Sequence, residues 1–269
     1  MPIVSDWLEV NRANWDDRTS VHLGSRFYDV AGWLERGDGP DPYEAALLGD
    51  VTAQRLVHLQ CHFGLDTLAW ARAGAIVTGL DFSEPAIAAA TELARRAGLS
   101  ERARFVVANV FEAPRALGER FDVVYSNIGA LCWLPSIERW ADVVAALLAP
   151  GARLLVHDVH PLLMSLDEDG TTPAYSYFEE SEPIVEDSEL SYVDGGHLEH
   201  TTSYQWNHSL GEIVTALLSR GLVISHLEEH DWVRYQAFAE LIEAPAGFWR
   251  APSGTARRAL SFSLLATAP

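Results

Sequence analysis

The chain has 269 residues, 48% hydrophobic and 21% charged, which suits one decorated α/β domain able to bury a full core and does not demand two. Acidic side chains outnumber basic ones 38 to 19, and the resulting net charge of −19 argues against a phosphate-rich partner such as nucleic acid. Two cysteines make no disulfide framework, no apolar run reaches the roughly 18 residues of a spanning helix, and the first residues lack the basic-then-apolar pattern of a signal peptide, so a cytoplasmic protein with no membrane partner is expected.

Residues 5–35 set Trp7, Trp15, Phe27, Tyr28 and Trp33 among Asn, Arg and Asp, which predicts one or two helices ahead of the first strand. So many aromatics need a surface, either as a lid over a ligand or on the flank of the domain. An apolar strand near 55–60 then breaks into the turn Gln60-Cys61-His62-Phe63-Gly64 and a helix near 65–73, whose Leu65, Leu68, Ala69 and Arg72 keep helical spacing. A second strand near 75–81 ends in Asp81. Ser83 caps the next helix, with Pro85 in its first turn and Gly98 beyond its end. Residues 104–108 and 122–126 read as the third and fourth strands. Ser136 caps a helix in which Ile137, Trp140, Val144 and Leu147 share a face, and Pro150-Gly151 turns into a fifth strand, 154–159.

Residues 165–206 interrupt this rhythm with acids, Tyr, Ser and Thr, and predict a hairpin turning at Gly195-Gly196 between strands 189–193 and 197–204. Placed after the fifth strand, that insertion overhangs the ligand crevice, where substrate selection is expected. The capping box Ser209-Leu210-Gly211-Glu212 opens a helix carrying Ile213, Ala216 and Leu217 and ending at Gly221. A sixth strand follows at 222–227, and the alternation of Leu260, Phe262, Leu264 and Ala266 gives a last one.

The first two strands and the helix between them form a nucleoside-binding βαβ unit. Asp81 lies seventeen residues after Gly64, near the spacing of about 20 at which a carboxylate meets ribose hydroxyls. A dinucleotide fingerprint needs three glycines so that a pyrophosphate can approach the backbone; Gln60 and His62 crowd that approach and favour a nucleoside without phosphates, such as S-adenosylmethionine. From Leu59 through Leu68 the chain resembles the bacterial small-molecule subgroup of class I S-adenosylmethionine-dependent methyltransferases, a resemblance that covers residues 50–165. It departs from the family's D-x-G-x-G-x-G loop at His58, Gln60 and His62.

The resemblance implies a Rossmann-like, seven-stranded, mostly parallel sheet with helices on both faces, its last strand antiparallel. The chain is then one domain: an N-terminal helical cap (1–50), a cofactor-binding core (51–164), a substrate-side insertion with its hairpin after the fifth strand (165–206) and the C-terminal part of the sheet (207–269). Cofactor contacts are expected from Gln60, His62 and Gly64 in the turn, from Asp81, Phe82 and Ser83 after the second strand, from Asn109 and Val110 at the adenine, and from Ser126 near the transferring methyl group. Trp133 is expected beside the sulfonium, since aromatic faces stabilise a cation. With Trp15, Tyr28, Tyr204 and Trp206 it suggests a flat or apolar small-molecule substrate.

Two histidines are candidate general bases: His160, sharing a strand face with Asp158, and His208, just before the capping box. No metal site is expected, because His157 and His160 stand three apart on a strand and face opposite sides. The function expected is methyl transfer to an oxygen or nitrogen of a small molecule. A nicotinamide oxidoreductase and a cofactor-binding protein without transfer are the alternatives; a homodimer is left open.

Overall fold

The computed structural model describes residues 6–269. Helices α1 (Trp7–Gly24), α2 (Val30–Arg36) and α3 (Pro42–Leu48) precede the sheet. Strand β1 (Arg55–Leu59) follows, then α4 (Leu65–Arg72), β2 (Ile76–Asp81), α5 (Glu84–Arg96) and β3 (Ala103–Val107). Next come α6 (Ala113–Leu117), β4 (Phe121–Asn127), α7 (Ile137–Leu147), β5 (Leu148–Val159) and α8 (Pro161–Met164). The remainder runs β6 (Ile184–Asp187), β7 (Thr202–Gln205), α9 (Leu210–Ser219), β8 (Val223–His230), β9 (Trp232–Val233), β10 (Ile242–Ala244), β11 (Phe248–Arg250) and β12 (Ser261–Thr267).

The main sheet has seven strands in the order β3-β2-β1-β4-β5-β12-β8. Only β12 runs against its neighbours, antiparallel to both β5 and β8, as expected of the last strand. The inner strands are apolar on both faces because helices cover both, which is why they read as unbroken hydrophobic runs. Leu56, Val57 and Leu59 of β1 are fully buried, and Val57 and Leu59 share one core with Trp140 of α7 and Phe262 of β12. Truncating Trp140 would cost about 3–5 kcal/mol through lost packing.

The caps fall where the sequence put them. The Ser83 hydroxyl accepts from Ala86 N, Ser136 caps α7, and Ser209 and Glu212 form the complete box at α9. The insertion differs. Its hairpin pairs Ile184 with Gln205 and Asp187 with Thr202, so the strands are shorter than expected and displaced outward from Gly195-Gly196. Residues 188–201 form the connection, which reaches α1: a side chain added at Gly196 would strike Val21. A three-stranded sheet, β10-β11-β9, fills the stretch between β8 and β12. Its strands are two or three residues long and left no periodicity to read.

Helix α1 answers the question left open by the aromatic cap. Its buried side chains are mainly polar, Asn11, Asn14, Arg18, Thr19 and His22, and they face the insertion. The Asn11 amide donates to Tyr204 O and accepts from Tyr204 N, both at 2.8 Å, closing the same pair of bonds a neighbouring strand would make. On its other side, Asp16 accepts the Ser83 hydroxyl at 2.6 Å. The helix therefore lies across the carboxyl edge of the sheet rather than on its flank.

Candidate active site

The carboxyl ends of β1, β2 and β4 converge beneath α1. Leaving β1, the chain turns through Gln60 and His62, both with left-handed backbone (φ 56° and 52°), a conformation that costs a residue bearing Cβ about 1 kcal/mol or more. That turn brings His62 N to 2.8 Å from Asp81 Oδ2, while Ser83 N donates to Oδ1 at 3.0 Å. Asp81 is thereby fixed at the tip of β2. Desolvation pushes its pKa up to about 6 in spite of those bonds.

Three buried polar atoms at this edge have no partner among the described residues: Gln60 Oε1, His62 Nε2 and Ser126 Oγ. Buried polar atoms are normally satisfied. Three orphans at the ends of two neighbouring strands, β1 and β4, suit a polar ligand.

The other expected contacts divide. Gly64 (φ 79°) caps α4, and a Cβ there would strike the Phe105 ring at 2.7 Å, so this glycine serves close packing against β3. Asn109 accepts from Phe111 N at 3.0 Å, which commits its carbonyl to the loop and leaves its amide donors. Val110 is buried in the core. Phe82 is half-buried beside Asp81. Trp15 and Trp133 meet edge to face at 5.2 Å, and Trp15 covers His62 at the same distance. Tyr28 packs on His62 and Phe63, its hydroxyl bonded to that of Tyr192 in the insertion.

Trp206, expected among the substrate residues, is 1% exposed and packs edge to face on Trp7, so it is buried as packing rather than presented to a ligand. Tyr204 is held by its backbone bonds to Asn11 and ties the insertion to α1.

Neither histidine proposed as a base has a free nitrogen. His160 Nδ1 accepts from Leu162 N at 3.0 Å, capping α8, so its proton sits on Nε2 and points to Glu229 at 2.8 Å. Asp158 does not orient it; its carboxylate accepts from Gly129 N, Leu131 N and Val159 N. His208 is enclosed by acceptors, Glu179 at Nδ1 and the carbonyls of Leu131 and Leu134 at Nε2. Both rings hold loops.

The group with free valence is Asp66, in the first turn of α4. It is exposed, yet its pKa is raised to about 6, first by desolvation and then by the charge of Glu44. Asn127 Nδ2 donates to its Oδ2 at 2.9 Å; Asn127 Oδ1 in turn meets His58 Nε2 at 2.9 Å, and His58 Nδ1 meets Thr67 Oγ1 at 2.8 Å. Tyr28 and Tyr192 stand near it, each feeling its charge. Among the described residues no cluster of His, Cys, Asp or Glu suits a metal, and no helix is long and apolar enough to cross a membrane.

Residues 57–154, the strands and turns that build this edge, match the family model of a methyltransferase domain. Over that segment, about a third of the chain, the protein is similar to methyltransferase domains. A 67-residue segment is 43% identical to the 23S rRNA (uracil(1939)-C(5))-methyltransferase RlmD of Azoarcus sp., covering 25% of this chain and 16% of that one. Over 106 residues the chain is 32% identical to methyltransferase phqN of Penicillium fellutanum, covering 39% of this chain and 32% of that one. The chain thus spans no more than about a third of these curated relatives. The fold extends further: an S-adenosylmethionine-dependent methyltransferase structure from Mesorhizobium loti superposes with a TM-score of 0.57 at 23% identity, over 84% of this chain and 96% of that one.

The likeness to a methyltransferase domain implies S-adenosylmethionine as cofactor, and the residues fit it: Asp81 would be the one to meet its ribose hydroxyls, and the orphan atoms of Gln60 and His62 would meet its charged amino acid tail. The two glycines that Gln60 and His62 replace are missing where a pyrophosphate, absent from this cofactor, would need them.

Proposed function

We propose that the protein is a methyltransferase that moves the methyl group of S-adenosylmethionine to a nitrogen or oxygen of a small molecule. The observation that carries this reading is the set of unsatisfied buried atoms, Gln60 Oε1, His62 Nε2 and Ser126 Oγ, which lie with Asp81 in the segment that matches a methyltransferase domain. The cofactor supplies an electrophilic methyl group on a sulfonium. The chain supplies position, a dry wall and a proton acceptor. Trp15, Trp133 and Tyr28 exclude water and present rings to positive charge.

Asp66 is the proton acceptor in this reading. Asn127 holds one of its oxygens, and the other carries no hydrogen bond among the described residues. A carboxylate that titrates near pH 6 suits an amine or hydroxyl that must lose a proton as it is methylated. Small acceptors are favoured over RNA by the net charge of −19.

The test pairs binding with turnover. Calorimetry should register S-adenosylhomocysteine, and Asp81→Ala should weaken it by about tenfold or more, the loss of a charge-assisted hydrogen bond. Methyl-labelled cofactor offered with a panel of amines and phenols should yield labelled product. Binding of NAD in place of the sulfur nucleoside would overturn the reading.

A further inference from the structure

Helix α1 buries a guanidinium and gives it no anion. Arg18 is 4% exposed; its Nε donates to Asn14 Oδ1 at 2.7 Å and its Nη1 to Ser191 Oγ at 3.1 Å. Among the described residues Nη2 has no acceptor, and Arg18 forms no ion pair. The acid it feels most, Glu186, is exposed and engaged by Gln205 Nε2 at 2.6 Å. Its Cζ lies 5.6 Å from the centre of the Trp15 ring and 5.8 Å from that of Trp133. A buried, unpaired charge is strongly unfavourable, and a ligand that brings the counter-ion removes the penalty.

The surroundings repeat the same vacancy of partners. His22 Nδ1 and His62 Nε2 are both buried and unbonded, and the two rings are 5.0 Å apart. His22 stacks on Tyr28, and its Nε2 meets Ser191 Oγ at 2.7 Å, the same hydroxyl that holds Arg18. Burial keeps both imidazoles neutral, His22 down to about 3, so each ring retains one N–H to donate. One planar cation and two ring nitrogens without acceptors thus sit directly over the turn after β1.

We propose that Arg18, assisted by His22 and His62, is the anchor for a ligand carboxylate. The inference rests on the proposed function for the presence of a ligand there. Two molecules can bring the group: the cofactor, through its amino acid tail, and the acceptor, if it is an acid. A planar guanidinium edge takes a carboxylate oxygen in a short charge-assisted bond, and the flanking imidazoles are free for the second oxygen.

Calorimetry on the full chain separates the cases, using S-adenosylhomocysteine and 5′-methylthioadenosine, which keeps the nucleoside and thioether but lacks the tail. If the tail is the ligand, Arg18→Met weakens S-adenosylhomocysteine on the order of 100-fold and leaves methylthioadenosine unchanged, while Arg18→Lys recovers part of the loss. If the acceptor is the ligand, both nucleosides bind Arg18→Met as before, but saturation-transfer NMR on S-adenosylhomocysteine-loaded protein loses the benzoate signal that wild type gives in excess of benzamide. Either result supports the assignment. A structural arginine predicts something else: Arg18→Met melts lower and weakens both nucleosides equally, and that outcome, or no change with any probe, overturns it. Arg18→Met that melts as high as wild type or higher agrees with removal of an unpaired charge. Wild-type protein that binds neither nucleoside overturns the proposed function and this inference with it, whereas a wild type that binds both and an Arg18→Met variant that is indifferent overturns the inference alone.

Discussion

Asp66 carries a penalty that a purely structural residue would have little reason to keep. Its carboxyl titrates near 6 in the folded protein, above the ordinary value of about 3.9 in an unfolded chain. The folded state therefore binds the proton more tightly, and ionisation works against the fold: the cost is absent below about pH 4, grows through pH 6 and is complete above it. Asp66→Asn should then melt higher than wild type at pH 8 and level with it at pH 4, because the amide removes the charge and still offers Asn127 an oxygen. The same substitution should lower methyl transfer by about 100-fold, and the wild-type rate should rise with pH through 6 as the base is freed. A variant that keeps full rate with an unaltered pH profile excludes Asp66 as the base. From the sequence this residue was not legible. An acid in the first turn of a helix is what the helix dipole favours anyway, so its position after Gly64 gave it no distinction. His160 and His208 attracted notice for their chemistry, but ring nitrogens are committed by backbone groups that become neighbours only after folding.

At the scale of elements, legibility followed burial. Strands β1, β2, β4 and β5 are covered on both faces and announced themselves as apolar runs between Gly, Pro and capping residues. The short strands β9, β10 and β11 had no such pattern. Helix α1 inverted the usual rule: Asn11, Asn14, Arg18 and His22 recur at helical spacing, and a polar stripe on a helix normally marks the solvent side. Here it is the buried side, because the partner is the insertion, whose open backbone groups at Tyr204 of β7 and at His200 need hydrogen-bonding side chains rather than apolar ones. This gives a sharp prediction. Asn11→Ala leaves both Tyr204 N–H and C=O without their partner, a cost of about 2–4 kcal/mol. Because the broken bonds join lid to insertion and not the core to itself, amide exchange should accelerate at β7 and across residues 188–201 while β1 and β4 stay protected. Uniform acceleration over the whole sheet would mean that α1 is an integral part of the core instead of a lid.

The whole molecule bears on the acceptor through its charge. All 19 basic residues are arginines, and many on the surface are already neutralised: Arg26 by Asp194, Arg36 by Asp29 and Asp38, Arg95 by Glu92, Arg115 by Glu112, Arg220 by Glu138 and Asp142, Arg257 by Asp231. A protein that binds RNA must release counter-ions by placing free cations against phosphates, and here the surplus lies with the acids by 19 charges. Likeness to an rRNA methyltransferase over 67 residues does not outweigh that, since a shared nucleoside-binding segment says nothing of the surface an RNA would need. Filter retention of a 23S rRNA fragment should therefore stay at background even at about 50 mM salt, where such binding is strongest. Retention that fades as salt rises would reassign the acceptor. The same excess of acids repels itself, so added sodium chloride should raise the melting temperature of the free protein as it screens the surface. Screening acts on that repulsion far more than on an enclosed site, so the affinity for S-adenosylhomocysteine should change much less over the same range.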